Sequence, residues 1–517
     1  MRCTKALLLL CFGFSLGTTT LAKSGHSQLW GQQGELWNST SRLPDFSNSG
    51  LLAIPKREDR KTLNVKDFGA TGEGKVDDTR AFKLAIKAAN NAEIFIPSGR
   101  YIVSEQIIIA KSNITLSGDA NNPPTIYIPM SLSTLLGEEK LGDTSFNKYA
   151  FSHAFISVQG KEETRKLGSL MKHAKRGDKI IYVTDSSKFR IGQLLRLTME
   201  SSEELGLHIH NGVEAGEDTL DEFEYMIDTI FKVNKIESNK LHIDRPLRTD
   251  IDLDWKPTLW SYSSSAENVI IKNIHIEFPK VKKRRHLHEE GFNAIMIRHT
   301  INSEVKNVTI NNADNGLIVF GARHCHISNV SIISDRKQQF TGHHALWAKN
   351  HTQECVFDNF EINTKFVHDI SVEGFAHGNV FKNGRGKAIN FDHHRNAPYE
   401  NLFSNIHVGD PFRIWNSGGR ESRGPRSAVR STFWGLSYNG ECIPEPPKWP
   451  QINFIGQINK THPHSNAMNR ANWKKHNCEP LAEGSLKDTS KLDVWIESTA
   501  DLLPEELHEA QTATEKP

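Results

Sequence analysis

Val269-Ile270-Ile271-Lys272-Asn273, Val305-Lys306-Asn307, Ile327-Ser328-Asn329, Val356-Phe357-Asp358-Asn359, Val380-Phe381-Lys382-Asn383 and Leu402-Phe403-Ser404-Asn405 share one pattern, an aliphatic or aromatic stretch that closes on asparagine. Phe433-Trp434-Gly435 continues it with glycine, and the intervals are 34, 22, 30, 24, 22 and 30 residues. Short runs such as Ile274-His275-Ile276, Val308-Thr309-Ile310 and Val330-Ser331-Ile332 follow the asparagines and alternate with period two instead of 3.6. Asparagine tolerates the left-handed backbone of a tight bend, and stacked asparagines can hydrogen-bond from coil to coil. The spacing therefore predicts an all-β chain, a single-stranded right-handed parallel β-helix with the asparagines aligned along one edge. Its long outer face suits a polymer. Asn307, Asn329 and Asn350 also fit glycosylation sequons, with the ladder positions expected to be too enclosed for modification.

Upstream, Asn64-Val65-Lys66-Asp67-Phe68-Gly69-Ala70-Thr71-Gly72-Glu73-Gly74 precedes Asp77-Asp78-Thr79-Arg80-Ala81-Phe82. This reads as a strand, a glycine-rich turn and an Asp-capped helix over 77–90 whose Ala81, Phe82, Ala85, Ile86 and Ala89 share one apolar face. A solenoid exposes apolar core at its first coil, so a capping helix belongs there. Ile94-Phe95-Ile96-Pro97-Ser98-Gly99-Arg100-Tyr101 follows as strand and turn. Residues 64–113 resemble the opening of the pectate-lyase-like (pectin lyase fold) superfamily, whose members begin Asp-Phe-Gly-Ala-x-Gly-x-Gly-x-x-Asp-Asp-Thr and continue with a Pro-x-Gly-x-Tyr strand. The resemblance implies the parallel β-helix. It leaves the chemistry open among polysaccharide lyases, polygalacturonase-type hydrolases, epimerases and phage tailspikes.

The expected organisation is a signal peptide at 1–22, an extended arm at 23–60, the cap and first coils at 61–127, an inserted β module with loops at 128–260, the main coils at 261–440 and a C-terminal tail at 441–517, with the last 35 or so residues frayed. Met1-Arg2-Cys3-Thr4-Lys5 followed by the apolar Ala6–Leu16 run, too short for a bilayer span, and Thr20-Leu21-Ala22 predict export, so the protein is expected to be secreted or periplasmic. No other stretch is apolar enough for a membrane helix. Ser201 to Glu224 is acidic, carries His208 and His210, and is long enough for a lid. A net charge of +2 argues against a broad nucleic-acid footprint. Lys280 to Arg285 reads as a solvated basic face, whereas Arg413, Arg420, Arg423, Arg426 and Arg430 lie beside the repeats and suggest an acidic sugar. Cys325 and Cys355 each stand four residues before a ladder asparagine, so they stack on adjacent coils as a ladder or a disulfide. Cys442 and Cys478 suggest a clamp in the tail.

Counting back from each asparagine places a second set of strands, among them Ala294–Arg298, Leu317–Phe320, Ala345–Lys349, Ile370–Glu373, Ile389–Asp392 and Phe412–Trp415. Alternation sends Leu346, Ala348, Ile370, Val372, Ile389, Phe391, Phe412 and Ile414 inward. Trp347, Lys349, Ser371, Glu373, Asn390, Asp392, Arg413 and Trp415 then face out. Strands ~4.8 Å apart make Lys349, Glu373 and Asp392 neighbours. His343, His344, His368, His377, His393 and His394 crowd the same strip, more than chance placement of structural histidines explains.

Three chemistries fit this set. In β-elimination from a uronic acid, Lys349, His344, His368, His393 or His394 is the base, Arg395 or Arg413 neutralises the uronate, and Glu373 with Asp392 organises the site or holds Ca2+, which the resemblance to lyases of this fold suggests. In hydrolysis, Glu373 and Asp392 are the catalytic pair. Only Asn312-Ala313-Asp314, Gly342-His343-His344 and Arg413-Ile414-Trp415 echo the polygalacturonase motifs, and the Asp-Asp pair is absent. A non-catalytic carbohydrate-binding solenoid would use Trp347 and Trp415 as sugar platforms. The strip holds many more histidines and basic residues than paired carboxylates, which favours a polysaccharide lyase. The expected partner is an acidic polysaccharide or oligosaccharide bound across Arg298, Trp347, Arg413 and Trp415 by a monomer.

Overall fold

The computed structural model describes residues 25–52, 60–440, 443–456, 459–460, 479–480, 484–499 and 501–514. The proposed signal peptide, Cys442 and Cys478 lie outside the described residues. The chain winds as a parallel β-helix. Ladder strands Ile270–Glu277, Glu304–Asn311 and His326–Ile333 pair in parallel, one coil on the next. Val356–Asp358, Val380–Lys382, Leu402–Ser404 and Thr432–Trp434 continue the stack.

The bend is set by the asparagines. Asn273, Asn307, Asn329, Asn359, Asn383 and Asn405 all have φ between +50° and +56°, and Gly435 takes the same place at +63°. Side chains link the coils, with Asn307 Nδ2 donating to Asn273 Oδ1 at 2.8 Å, Asn329 to Asn307 at 2.8 Å, Asn359 to Asn329 at 2.6 Å and Asn405 to Asn383 at 2.9 Å. Asn383 turns to Asp358 Oδ1, which breaks the run once. Contrary to expectation, the ladder is not enclosed. Asn307, Asn329, Asn359 and Asn405 are exposed because the bend points them outward.

Inside, Phe357, Phe381, Phe403 and Phe433 stack coil on coil with centroids 4.3, 5.3 and 4.8 Å apart. Cys325 and Cys355 are free buried thiols one coil apart, the Cys325 N–H donating to Cys355 Sγ at 3.5 Å, so the pair is a ladder and not a disulfide. Thr79–Ala88 closes the first coil, its Ala81, Phe82, Ala85 and Ile86 buried. Its capping differs from the expectation. Asp78 accepts from the Thr71 amide at 2.7 Å and braces the glycine turn, while Asp77 Oδ1 accepts from the Thr79 amide at 2.9 Å.

A second sheet carries the strip of interest. Ile107–Ile109, Ile156–Gln159, Asn293–Arg298, Asn315–Phe320, Gly342–Lys349, Phe366–Val372 and Phe391–His393 form seven parallel strands. Ile156–Gln159 therefore belongs to the solenoid, and the insertion proper is a six-stranded antiparallel sheet between Glu162–Ser169 and Thr258–Ser264, narrower than 128–260. The coils also run past 440. Asn453–Gly456 pairs with Thr432–Trp434, Trp495–Ser498 pairs with Asn453–Gly456, and helix Leu507–Thr514 follows, so the described residues of the terminal segment pack against the body instead of fraying. No helix of the described residues is long and apolar enough to cross a membrane.

Five residues before each ladder position lies another left-handed bend, at Asn268, Asn302, His324, Glu354, Gly378, Glu400 and Arg430, with φ from +47° to +64°. Its carboxylates dock the inserted module. Glu354 receives Arg245 and Arg248, the latter at 2.7 Å, and Glu400 receives Arg176 at 2.8 Å, Arg248 at 3.2 Å and Arg430 at 2.7 Å. Asp228 of the module takes Arg323 of the coils at 2.9 Å. Residues 25–52 lie along the outside of the coils, with Trp30, Leu43 and Phe46 packed on Val356, Val380, Leu402 and Trp434.

Two outcomes are expected. Asn329→Ala removes the amide that helps asparagine tolerate the left-handed bend and breaks the ladder bonds to Asn307 and from Asn359, costing about 1 kcal/mol for each bond and roughly 1 kcal/mol for the backbone. Asn329→Gly recovers the backbone part. Urea unfolding midpoints check this, and equal midpoints for the native protein and Asn329→Ala contradict it. Separately, burial raises the Glu354 and Glu400 carboxyls, but their arginines outweigh it and hold both at about 2 against an ordinary 4.5. The folded state then binds fewer protons than the unfolded, so the stability these groups contribute is complete above pH 4.5 and drains as pH falls toward 2. Hydrogen exchange in that window should rise first over 162–264. Uniform loss of protection across the solenoid and the module contradicts module-first release.

Candidate active site

Ala294 and Ile295 both reach the core, as do Ala345 and Leu346, so the in-and-out alternation shifts by one residue in these strands. The shift puts Asn293, Asn315, His344 and His368, which neighbour one another across the strands, on the outer face. Asn293 and Asn315 tie down the loop above them through the carbonyls of Tyr149 and Ala150, at 2.8 and 3.1 Å. The next coils place histidines instead of asparagines at the corresponding positions.

Asp392 is the hub. Its Oδ2 accepts from Ser371 Oγ at 2.9 Å and His394 Nδ1 at 2.8 Å, and lies 3.0 Å from His368 Nδ1. Its Oδ1 accepts from the Gly418 amide at 2.7 Å. Since Ser371 spends its one hydroxyl proton on Asp392, it can only accept from His344 Nδ1, 2.8 Å away. That bond leaves His344 Nε2 as a bare lone pair, buried and without a partner. The His344 ring lies flat on Trp347, centroids 3.7 Å apart. A Cβ at Gly418 would stand 2.4 Å from His394 Cε1, so only glycine leaves room beside that ring. Beyond His394, Glu373 Oε2 lies 4.0 Å from His394 Nε2, while Glu373 Oε1 meets Lys349 Nζ at 3.2 Å.

Electrostatics divide the imidazoles. Burial raises the Asp392 carboxyl, but His368 and His394 override it and hold the group far below the usual carboxylate range. Burial lowers His394, yet Asp392 prevails and raises it, favouring the imidazolium. Burial and the neighbouring imidazoles push His344 well down, and burial does the same to His368 against the pull of Asp392. Lys349 is lowered by burial against Glu373. A charged imidazole thus stands beside neutral ones.

The structure brings together Lys349, His344, His368, Glu373, Asp392 and His394 from the expected set and removes others. His393 points inward, packed on Phe403, Phe433 and Trp449, and His377 stacks on Tyr399 away from the cluster. Residues 411–413 form a short 3-10 turn instead of a strand, so the alternation fails there. Trp415 is consequently core, donating Nε1–H to Pro444 O at 2.9 Å, and Arg413 is buried on Asp369 at 2.7 Å. Trp347 faces outward but is covered by His344 and leaves no sugar platform. Arg395 braces the carbonyls of Gly419 and Gly424. Arg420 and Arg423 pair with Glu222, and Arg426 binds Ser417 and Gly418 carbonyls, so the arginine cluster fastens a loop to the module. The acidic 201–224 linker supplies that fastening as helices Glu203–Ile209 and Glu217–Glu222. Arg298 remains exposed, over the Phe320 ring. In the polygalacturonase-like echo, Asp314 is committed to Arg336 at 2.7 Å and to the Gly291 and Phe292 amides.

The Ca2+ site expected at Glu373 and Asp392 does not fit. The two carboxylates lie on opposite ends of the His394 ring, and the donors converging on Asp392 are imidazole nitrogens and a hydroxyl, unlike the oxygen shell Ca2+ requires. The sequence reading missed Ser371 as a relay, Gly418, and the loop residues Lys283, His286 and Glu289. Lys283 is buried on Glu289 at 2.8 Å and is the exception in that run, whose Lys280, Lys282, Arg284 and Arg285 are exposed as a solvated face requires. The His286-Leu287-His288-Glu289 string was the available signal.

With fold and site described, the opening coils are similar to pectate-lyase-like proteins. Residues 62–158 match the family described as rhamnogalacturonase A/epimerase, pectate lyase-like. Over 64 residues the chain is 47% identical to alginate lyase 7 of Azotobacter vinelandii, covering 11% of this chain and 8% of that protein. Over 65 residues it is 42% identical to mannuronan C5-epimerase AlgE3 of the same organism, covering 11% and 4%. The chain thus spans less than a tenth of the length of these relatives. Among solved structures, the tailspike protein gp49 of Pseudomonas phage LKA1 superposes with a TM-score of 0.49 at 14% identity, over 77% of this chain and 62% of that one.

The inward position of His393 generates a clear expectation. His393→Ala opens a cavity among aromatic rings and costs about 2–3 kcal/mol. Activity per folded molecule stays the same. A variant of native stability whose turnover collapses would return His393 to the site.

Proposed function

We propose that the protein is a secreted carbohydrate-active enzyme that cleaves an acidic, uronic-acid-containing polysaccharide or its oligosaccharides by β-elimination. The observation that carries this reading is the Asp392–Ser371–His344 relay standing beside the Asp392–His394 pair. It supplies an unprotonated Nε2 and a protonated imidazole a few ångströms apart, the complement that elimination uses. In this reading His344 Nε2 takes the C5 proton, the C4–O4 bond breaks as the C4=C5 double bond forms, and His394 gives a proton to the departing O4. Lys349 and Arg298 face the acidic groups of the chain, and Glu373 holds Lys349 in place.

Hydrolysis is less well served. A glycosidase acid is a carboxyl kept protonated, whereas Asp392 is held ionised by two imidazoles and Glu373 is paired with Lys349. The one raised carboxyl nearby, Asp369, already accepts from the Phe366 and Asn390 amides and Arg413. The match to a relative named as an alginate lyase supports the acidic-polysaccharide class.

A panel of pectate, alginate, ulvan and glycosaminoglycans, followed by ultraviolet absorbance, tests this directly, because elimination creates a conjugated 4,5-unsaturated uronate and hydrolysis does not. One or more acidic polymers should yield that chromophore. His344→Gln and His394→Gln should each lower turnover by about 10²- to 10⁴-fold with melting little changed. New reducing ends without the chromophore would replace the lyase by a hydrolase. Binding with neither product would leave a carbohydrate-binding solenoid.

A further inference from the structure

The loop over the sheet adds a second group of imidazoles that the elimination chemistry leaves unused. His286, His343 and His368 offer ligand atoms that all lie within 4.8 Å of one another. Their ring centroids lie 4.7 Å apart for His286 and His343, 5.5 Å for His343 and His368, and 5.7 Å for His286 and His368. His343 and His368 are buried, and His286 forms the exposed side.

Their outer contacts are those of metal-ligating histidines. His343 Nδ1 donates to the Ala150 carbonyl at 2.9 Å, which fixes its proton there and leaves Nε2 bare. His368 Nδ1 lies 3.0 Å from Asp392 Oδ2, and His286 Nδ1 lies 3.8 Å from Glu289 Oε1. The carbonyl bonded to His343 is the arrangement that orients an imidazole toward a metal, and the carboxylates near His368 and His286 stand close enough to take the same part once the rings adjust. His343 Nε2 and His368 Nε2 have no hydrogen-bond partner although both are buried. A buried imidazole nitrogen without a partner carries a desolvation cost that a bound metal would relieve. Glu289 is itself buried, with Lys283 on one oxygen at 2.8 Å and His343 Nδ1 3.7 Å from the other.

We propose that His286, His343 and His368 form a mononuclear site for a divalent transition metal of the zinc class, with one coordination position left open. Three nitrogen donors suit Zn2+, and neutral imidazole selects it and its first-row neighbours over Ca2+ and Mg2+. Tetrahedral bonds of ~2.0–2.1 Å set ligand nitrogens ~3.3 Å apart, so a spacing of up to 4.8 Å needs a closure of up to about 1.5 Å. His286, on the exposed loop, is the ligand free to make that closure. The open position would take an anionic oxygen. His344 lies beside both buried ligands, with centroids 4.2 Å from His343 and 4.7 Å from His368. A uronate carboxylate on the metal would therefore stand next to the proposed base. That last assignment rests on the elimination reading, whereas metal binding does not.

The test separates the two. The full chain, stripped with chelator and dialysed, is titrated with Zn2+ by calorimetry and with Co2+ by visible absorption, both without substrate. Stoichiometric Zn2+ binding and the intense d–d bands of a four-coordinate Co2+ are expected. His286→Ala, an exposed change that spares the fold, should abolish the bands. Glu289→Gln, which loosens the support behind two rings, should weaken binding about 10- to 100-fold. His377→Gln, remote from the cluster, should bind as the native protein does. Absence of stoichiometric binding, or unchanged Co2+ spectra in His286→Ala, overturns the site. The polysaccharide panel is then repeated on stripped and Zn2+-loaded protein. Equal elimination by both overturns the carboxylate assignment while leaving the metal site standing, and metal binding with no elimination on any polymer overturns the lyase reading alone.

Discussion

Everything in this molecule hangs on a backbone bend one residue long. Each coil must turn its chain sharply while keeping the next strand in register with the one below, and a residue with φ near +50° does so at the least cost when it is asparagine or glycine. Because side chains alternate with period two, a one-residue slip at any bend would turn a whole strand inside out. The ladder bonds between neighbouring asparagines, and the phenylalanine stack on the inner side, resist such a slip from both surfaces. The positions of the histidines on the opposite sheet are inherited from that register.

The asparagine ladder was legible in sequence because one residue type fills nearly every rung. The parallel bend five residues earlier was not. Its rungs are Asn, Asn, His, Glu, Gly, Glu and Arg, so no composition signal repeats, although every φ lies in the same left-handed region as the ladder. Glu354 and Glu400 accept a backbone conformation uncommon for their type because each is held by two or more arginines there. The choice of residue was decided by a partner far away in sequence, which no local pattern can reveal.

The same limit explains the site. Alternation counted from the asparagines placed Ser371, Glu373 and Asp392 outside, since those strands are regular enough for period two to hold. It does not carry through to His344, where Ala345 and Leu346 both turn inward, and it failed at Trp415, where a 3-10 turn replaces a strand. Histidine density pointed to the right strip but could not separate His394, hydrogen-bonded to Asp392, from His393, one residue away and sealed among aromatic rings. The arginines misled because their charge suggested a ligand, while Glu222, Asp369 and Glu400 already supply the counter-charge. His286 arrives on a loop, and its approach to His343 depends on tertiary packing alone.

The outer arm gives the fold a particular order in time. Ser27 donates to Glu497, Arg42 pairs with Asp493, and the Phe46 amide donates to Gln511, so the first described segment completes its contacts only with the last coil. At translation rates of ~5–20 residues per second, the arm waits roughly half a minute to a minute and a half for the residues it will meet. Through most of that interval Trp30, Leu43 and Phe46 lack the groove of Val356, Val380, Leu402 and Trp434, and the anchors at Asp493, Glu497 and Gln511 arrive later still. Coils can stack one by one as they emerge, but the clasp along their side closes after synthesis ends, making the beginning of the chain the last part to become native.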